Sequence, residues 1–163
     1  MSDSKRKLAF NELLGRSRGR LMAISKSYAR SDADDLLQEI LLQIWRGLKN
    51  FKGDSAIDTW SYRVALNSAM TWRRARLNRQ RLLPSASSVV DEIPSSDHGV
   101  RSFELLEKFM HTLSDADRAV LLVYMEDLSG AEMAEIIGIS EASFRVRIHR
   151  IKKKLSNWKR GDS

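Results

Sequence analysis

Eight lysines and arginines stand against one acid between Glu141 and Arg160, and six arginines stand against none between Thr59 and Val90. Cations in such one-signed runs hold phosphate, so the chemistry offered is the binding of a polyanion. In the second run Arg63, Arg73, Arg74, Arg76, Arg79 and Arg81 are interleaved with Trp60, Tyr62 and Trp72. A guanidinium grips a phosphate while a neighbouring aromatic face stacks on an unpaired base, which suits a single strand. Aromatics at helical spacing also serve as packing residues with a wet edge, so each tryptophan has that second reading. Bond-making chemistry has no comparable support: no nucleophile is paired with a base, there is no cysteine, and His98, His111 and His149 lack the spacing of a metal site. No catalytic residue, no metal and no cofactor is expected.

The C-terminal cations need an element to present them. Ser129 with Glu132 forms a capping box that opens a short helix, Ala134 is small enough for close approach of a second helix, and Gly138 opens a turn. Ser140 then caps a helix whose Phe144, Ile148, Ile151 and Leu155 recur at inward spacing. Ala142, Ser143, Val146, Arg147, His149 and Arg150 are left on or near the outer side, where a helix-turn-helix meets the major groove. The competing reading is a small helical hairpin with a solvated basic face.

The remaining elements follow from periodicity. Runs such as Leu36, Ile40, Ile44 and Leu48 keep a spacing of four and no period-2 strand is evident, so the fold class is all-α. One helix is expected over 8–29, with Phe10, Leu13, Leu14, Leu21 and Ile24 facing a core. A second is expected over 33–48, opened by Asp32, Asp34 and Asp35, whose charges suit a helix N-terminus. A loop over 51–55 contains Gly53, and a third helix starts near 56–59 and runs past Trp72. Serines with Pro84, Pro94 and Gly99 make 82–100 a linker. Two small helical domains are therefore expected, at 8–81 and 101–160. In the second helix, Asp34, Asp35, Gln38 and Glu39 stand beside a wide apolar stripe that is either all core or partly a docking face for a protein.

The 163 residues, 42% hydrophobic and 30% charged, suit a globular chain, and a net charge of +7 favours a polyanionic partner without distinguishing DNA, RNA or an anionic membrane. The polar, basic first ten residues and the absence of a long apolar run point to a cytoplasmic protein with no membrane insertion.

In order, D-A-D-D-L-L-Q-E-I-L-L-Q-I-W, F-K-G-D-S-A-I-D-T-W-S-Y-R-V-A-L-N, a Ser/Pro linker, L-S-D-A-D-R-A-V-L-L-V-Y and the helix-turn-helix resemble the extracytoplasmic-function sigma factors, the smallest sigma subunits of bacterial RNA polymerase. The resemblance runs from about residue 10 to residue 155. It implies a sigma-2 domain before the linker and a sigma-4 domain after it, and a subunit that binds core polymerase, recognises minus-35 and minus-10 promoter elements and helps melt the promoter. It further implies that the second helix binds the clamp helices of the largest polymerase subunit through Asp35, Gln38, Glu39, Leu41, Leu42 and Trp45, with the flap as a second polymerase contact. Minus-10 DNA would be met by Lys52, Gly53, Asp54, Ser55 and Ile57 around a flipped base, and by Trp60, Arg63, Asn67, Thr71 and Arg74 along the adjacent helix. Asn67 is the leading candidate for a base edge because an amide donates and accepts at once. Ile57 replaces the aromatic common in the family, which alters the expected pocket.

The minus-35 element would be met by Ser143, Arg145, Val146, Arg147, Arg150 and Lys153. Arg147 and Lys153 are assigned mainly to phosphates, and Ser143, Val146 and Arg150 to base edges. Val146 stands where a small polar residue is common in the family and suits a thymine methyl. An anti-sigma factor and a stress-induced regulon are implied by the resemblance alone. Two rivals remain open at this stage: an autonomous dimeric helix-turn-helix regulator, and a small nuclease using Asp34, Asp35 and Glu39 with a divalent metal.

Overall fold

In α2, Leu36, Ile40, Ile44 and Leu48 project on one side and all four are 0% exposed, which makes Ala33–Leu48 the central helix of the N-terminal half. The computed structural model describes residues 2–82 and 98–161, with side chains described from residue 104 in the second stretch. Before α2 come α1, Asp3–Ala29, and a 3-10 turn, Arg30–Asp32; after it comes α3, Ile57–Leu82. Leu13, Leu21 and Ile24 of α1 and Tyr62, Ala65, Leu66 and Ala69 of α3 close the core around α2. Ala65 and Ala69 have no bulk, so α3 can lie close to its neighbours.

The C-terminal half comprises α4 (His98–Thr112), α5 (Asp115–Tyr124), α6 (Gly130–Ile137) and α7 (Glu141–Arg160). Among the described residues there is no strand. The turn signals act as their chemistry requires. The Ser129 hydroxyl accepts from the Glu132 N–H at 3.2 Å while the Glu132 carboxylate accepts from the Ser129 N–H at 2.9 Å, satisfying donors that open the helix. Gly138 ends α6 at φ +78°, a conformation costly for a side chain, and its N–H donates to the Ala134 carbonyl. The Ser140 hydroxyl accepts from Ser143 N–H at 3.1 Å and starts α7, whose Phe144, Ile148 and Ile151 are buried.

Two expected boundaries move. α1 begins at Asp3 instead of residue 8, because Asp3 pairs with Arg6 at 2.6 Å and the Arg6 guanidinium lies 4.0 Å above the Trp45 ring. The expected linker at 82–100 gives up both ends to helices, since Leu82 closes α3 and α4 starts at His98. Pro84 and Pro94 lie outside the described residues.

The halves pack together, α3 against α6 and α1 against α4. Their junction is polar. Arg20 meets Glu126 at 2.9 Å, Arg73 meets Asp115 at 3.0 Å, and the Tyr28 hydroxyl donates to the Asp115 carbonyl at 2.6 Å. Beside them Arg118, 0% exposed, donates to the carbonyls of Met110 and Leu113 at 2.9 and 3.3 Å and lies 5.0 Å from the Tyr28 ring. These carbonyls belong to the end of α4 and the turn after it, so Arg118 caps the oxygens left over when the helix stops.

Replacing Arg118 by leucine fills much of the same space and strands both carbonyls, while Asp115 keeps Arg73. The expected result is a loss of about 3 kcal/mol, read from urea denaturation followed by circular dichroism. A midpoint equal to that of the parent chain would contradict the capping role.

Candidate nucleic-acid interface

The outer face of α7 exposes Ser143, Arg145, Val146, Arg150 and Lys153, with Val146 52% exposed. Among the described residues Arg145, Arg150 and Lys153 have no ion-pair partner within 4 Å. Arg147, expected to meet a phosphate, is paired within the chain. Its Nε donates to Asp117 Oδ1 at 2.9 Å, and Lys154 approaches the other oxygen at 3.4 Å, so the guanidinium is folded back onto α5. Burial pushes the Asp117 carboxyl up, but hydrogen bonds and charge from Arg147 and Lys154 outweigh it and hold the group below its usual range. Asp117 thus remains a carboxylate and keeps hold of Arg147.

On the N-terminal half the loop residues Lys52, Gly53 and Asp54 are exposed, with Ser55 and Ile57 partly covered. Asp58 pairs with Arg16 at 2.9 Å and ties the start of α3 to α1. Trp60 is a packing residue, not an open stacking platform: its ring lies 5.1 Å from Phe51 and fills the space over Gly47, where even a Cβ would come within 2.7 Å. Trp72 is partly buried, with Arg76 at 5.4 Å from its ring. Thr71 and Arg74 are exposed one turn apart. Arg63 is also exposed but donates to the Glu135 carbonyl of α6. Asn67 lines a cleft of about 130 Å³ whose other walls include Ile136, Ile137, Ile139 and Arg147. Two residues predicted to read different DNA elements therefore look into one space.

The face of α2 expected to dock a protein is graded. Asp35, Gln38 and Leu42 are exposed, while Glu39 accepts a hydrogen bond from the Gln43 amide at 2.6 Å and Leu41 packs partly on the core. Trp45 shows only part of its ring, because Phe10 packs edge-on at 5.4 Å and Arg6 covers a face. Asp34, Asp35 and Glu39 do not gather into a metal-holding group of three such side chains; among the described residues there is none.

Sequence patterning does not join the residues of the junction, although Arg73 stands in the arginine run and His111 among the histidines. Tyr28, Arg20, Arg30, Arg73, His111, Asp115, Arg118 and Glu126 are scattered, and local patterning does not link them. Arg118 alone carried a signal: it sits three and four residues before Leu121 and Leu122, on the buried side of α5. His111 accepts from Arg30 Nε at 3.1 Å through its Nε2, which requires the neutral ring. Burial, then the charges of Arg30, Arg118 and Arg73, lower its pKa to about 4.

Compared with known proteins, residues 13–79 match the family model described as sigma-70 region 2, and residues 103–155 match that of sigma-70, region 4. The chain is 28% identical to an ECF RNA polymerase sigma-E factor of Haemophilus influenzae, over 93% of this chain and 87% of that one. It is 29% identical to the ECF RNA polymerase sigma-E factor of Escherichia coli, over 91% and 85%. Among solved structures it resembles the sigma factor RpoE of Bartonella quintana, determined with the anti-sigma factor NepR, at a TM-score of 0.77 and 20% identity, over 95% of this chain and 99% of that one. CnrH, determined with the cytosolic domain of CnrY, gives 0.68 at 24% identity, over 96% and 91%. At these identities the two structures share the fold. No described helix is long and apolar enough to cross a membrane.

His111 sets a pH dependence. Its pKa falls from 6.5 to about 4 in the folded chain, so between those values the unfolded chain binds more protons and stability rises with pH. Stability from the neutral ring is complete above about pH 6.5 and is lost as pH falls toward 4. The depressed Asp117 works in the same direction at the acid end. Thermal denaturation between pH 8 and 4 should show this slope, and His111→Gln should flatten it between 6.5 and 4.5; an unchanged slope in the variant would exclude His111 as its source.

Proposed function

The chain belongs to the sigma-70 family, in its extracytoplasmic-function group, and from that membership we infer that it is a promoter-specificity subunit of bacterial RNA polymerase. It binds core enzyme, recognises minus-35 and minus-10 elements and helps to separate the promoter strands. The observation that carries this reading is the order of the two sigma-70 regions along one chain, with a capped helix-turn-helix presenting cations at its end. It acts in the cytoplasm and catalyses no covalent step, lending recognition and strand separation to polymerase. The similar sigma factor RpoE was determined with the anti-sigma factor NepR, which supports an anti-sigma factor as a further partner.

Within this reading the sigma-2 domain, put at 8–81 from sequence, extends to the first turns of α1, and the sigma-4 domain includes the whole of α4. Asp35, Gln38 and Leu42 are the exposed core-polymerase contacts, with Glu39, Leu41 and the open edge of Trp45 beside them. Lys52, Gly53, Asp54, Ser55 and Ile57 would surround an extruded base, while Arg63, Asn67, Thr71 and Arg74 would follow the strand along α3. Trp60 supports this surface from below. Ser143, Val146 and Arg150 would read the minus-35 edges, with Arg145 and Lys153 on phosphates and Arg147 reaching one on leaving Asp117.

The autonomous-regulator alternative requires tight operator binding by the chain alone, whereas a sigma factor needs polymerase to hold both readers in place. Run-off transcription with core polymerase on a random promoter library should yield defined start sites. Asp35→Ala with Gln38→Ala should weaken polymerase association about tenfold or more, and Arg150→Ala should cost about tenfold and relax preference in the minus-35 region alone. Initiation nowhere specific, or nanomolar operator binding without polymerase, would overturn the assignment.

A further inference from the structure

Asp117 stands on α5, but its charge acts on α7. Its side chain is 17% exposed and receives two cations from the recognition helix, Arg147 Nε on one oxygen at 2.9 Å and Lys154 Nζ on the other at 3.4 Å. Those two residues lie two turns apart on one stripe of α7, and Arg150 stands between them on the same stripe. The carboxylate thus draws in the cations on either side of a residue assigned to a base edge. Burial opposes its charge, but the hydrogen bonds and charge of Arg147 and Lys154 hold the carboxyl below its usual range, so the anion is present at neutral pH. A carboxylate offers a guanidinium the same two-oxygen geometry that a phosphate does. It is also already in place, whereas Arg147 reaches a phosphate only by breaking its pair. Arg145, Arg150 and Lys153 have no such competitor: among the described residues none of them has an ion-pair partner.

We propose that Asp117 sets the phosphate grip of the recognition helix: it stands in for a DNA phosphate and withholds Arg147 and Lys154 from the duplex. The inference rests on the assignment of α7 to duplex DNA. Phosphate contacts add affinity for every sequence and carry no sequence information. A carboxylate that removes two of them lowers adhesion to non-promoter DNA and leaves the base-edge contacts in place. The sign of the effect separates it from a bracing role. If Asp117 only holds α7 on α5, loss of its charge loosens the recognition helix and weakens DNA binding. As a substitute for phosphate, its loss strengthens DNA binding and makes that binding more sensitive to salt.

The full chain is titrated onto a labelled duplex of about 30 base pairs of random sequence, read by fluorescence anisotropy from about 50 to about 300 mM potassium chloride. Asp117→Asn should tighten binding about tenfold at the low end and about threefold at the high end. It should also steepen the slope of log affinity against log salt by about 0.9 for each cation released, and adding Arg147→Gln should take back about 0.9. Arg147→Gln alone serves if Asp117→Asn loses helical circular dichroism. It should leave the slope within about 0.3 of the parent chain, whereas an Arg147 engaged on phosphate would lower it by about 0.9. Glu12→Gln makes the same change in net charge on α1 and should alter affinity by less than about twofold. Weaker binding or an unchanged slope in Asp117→Asn, an equal gain in Glu12→Gln, or a fall of about 0.9 in Arg147→Gln alone would overturn the proposal. Arg145→Gln tests the reading beneath it: a slope lower by about 0.9 keeps α7 on the duplex, and an unchanged slope overturns the assignment of α7 itself.

Discussion

Arg118 is the constraint around which the two halves are arranged. A guanidinium at 0% exposure has lost its water, at a cost of several kcal/mol that only close hydrogen bonds and charge can offset. Its partners come from three places: the carbonyls of Met110 and Leu113 at the end of α4, Asp115 at the start of α5, and the ring of Tyr28 in α1. The first two fix the angle between α4 and α5 within the C-terminal half. The third requires the N-terminal half to be present. Asp115 also receives Arg73 and, through its carbonyl, the Tyr28 hydroxyl, so the same node that settles Arg118 sets where α1 and α3 meet the other domain.

A junction built this way has consequences for the cations of α3. It consists mainly of arginine with carboxylate or carbonyl, and such contacts compete directly with phosphate because they use the same donors in the same geometry. A hydrophobic junction would have left Arg63 and Arg73 pointing outward. The observed one engages both with the C-terminal half, while Asp35, Gln38 and Leu42 of α2 remain exposed.

How much of this was legible beforehand follows from the range of the signals. α2 was readable to both ends, Ala33 and Leu48, because acids at its start and a four-residue apolar repeat are local. The helix-turn-helix was readable for the same reason, since Ser129, Glu132, Gly138 and Ser140 act within four residues of themselves. The first turn of α1 was not, because it has no apolar stripe and is held by Arg6 lying on Trp45, thirty-nine positions away in the chain. The junction was least legible of all: Arg20 and Glu126 are 106 residues apart and Tyr28 and Asp115 are 87 apart, separations at which no spacing rule operates. Of the site, what local patterning conveyed was exposure, at Ser143, Arg145, Val146, Arg150 and Lys153 of α7 and at residues 52–54 of the loop. The packing of Trp60 was not conveyed, because it depends on its ring lying over Gly47, thirteen positions away in the chain.

The cation count of α7 shows how structure changes an argument made from composition. Eight cations suggested a uniformly phosphate-seeking helix, yet Arg147 and Lys154 share Asp117, and Lys152 lies 4.2 Å over the ring of Tyr124 and donates to its hydroxyl. These three are bound to α5 and hold the recognition helix on its scaffold. Arg145, Arg150 and Lys153 are left facing outward, with Lys159 and Arg160 at the far end. Each phosphate contact contributes about 0.9 to the slope of log affinity against log salt, so a contact face of this size is a shallow electrostatic reader. A shallow reader leaves discrimination to base edges. In the proposed reading that task would fall to Ser143, Arg150 and the 52% exposed Val146, whose apolar surface suits a thymine methyl.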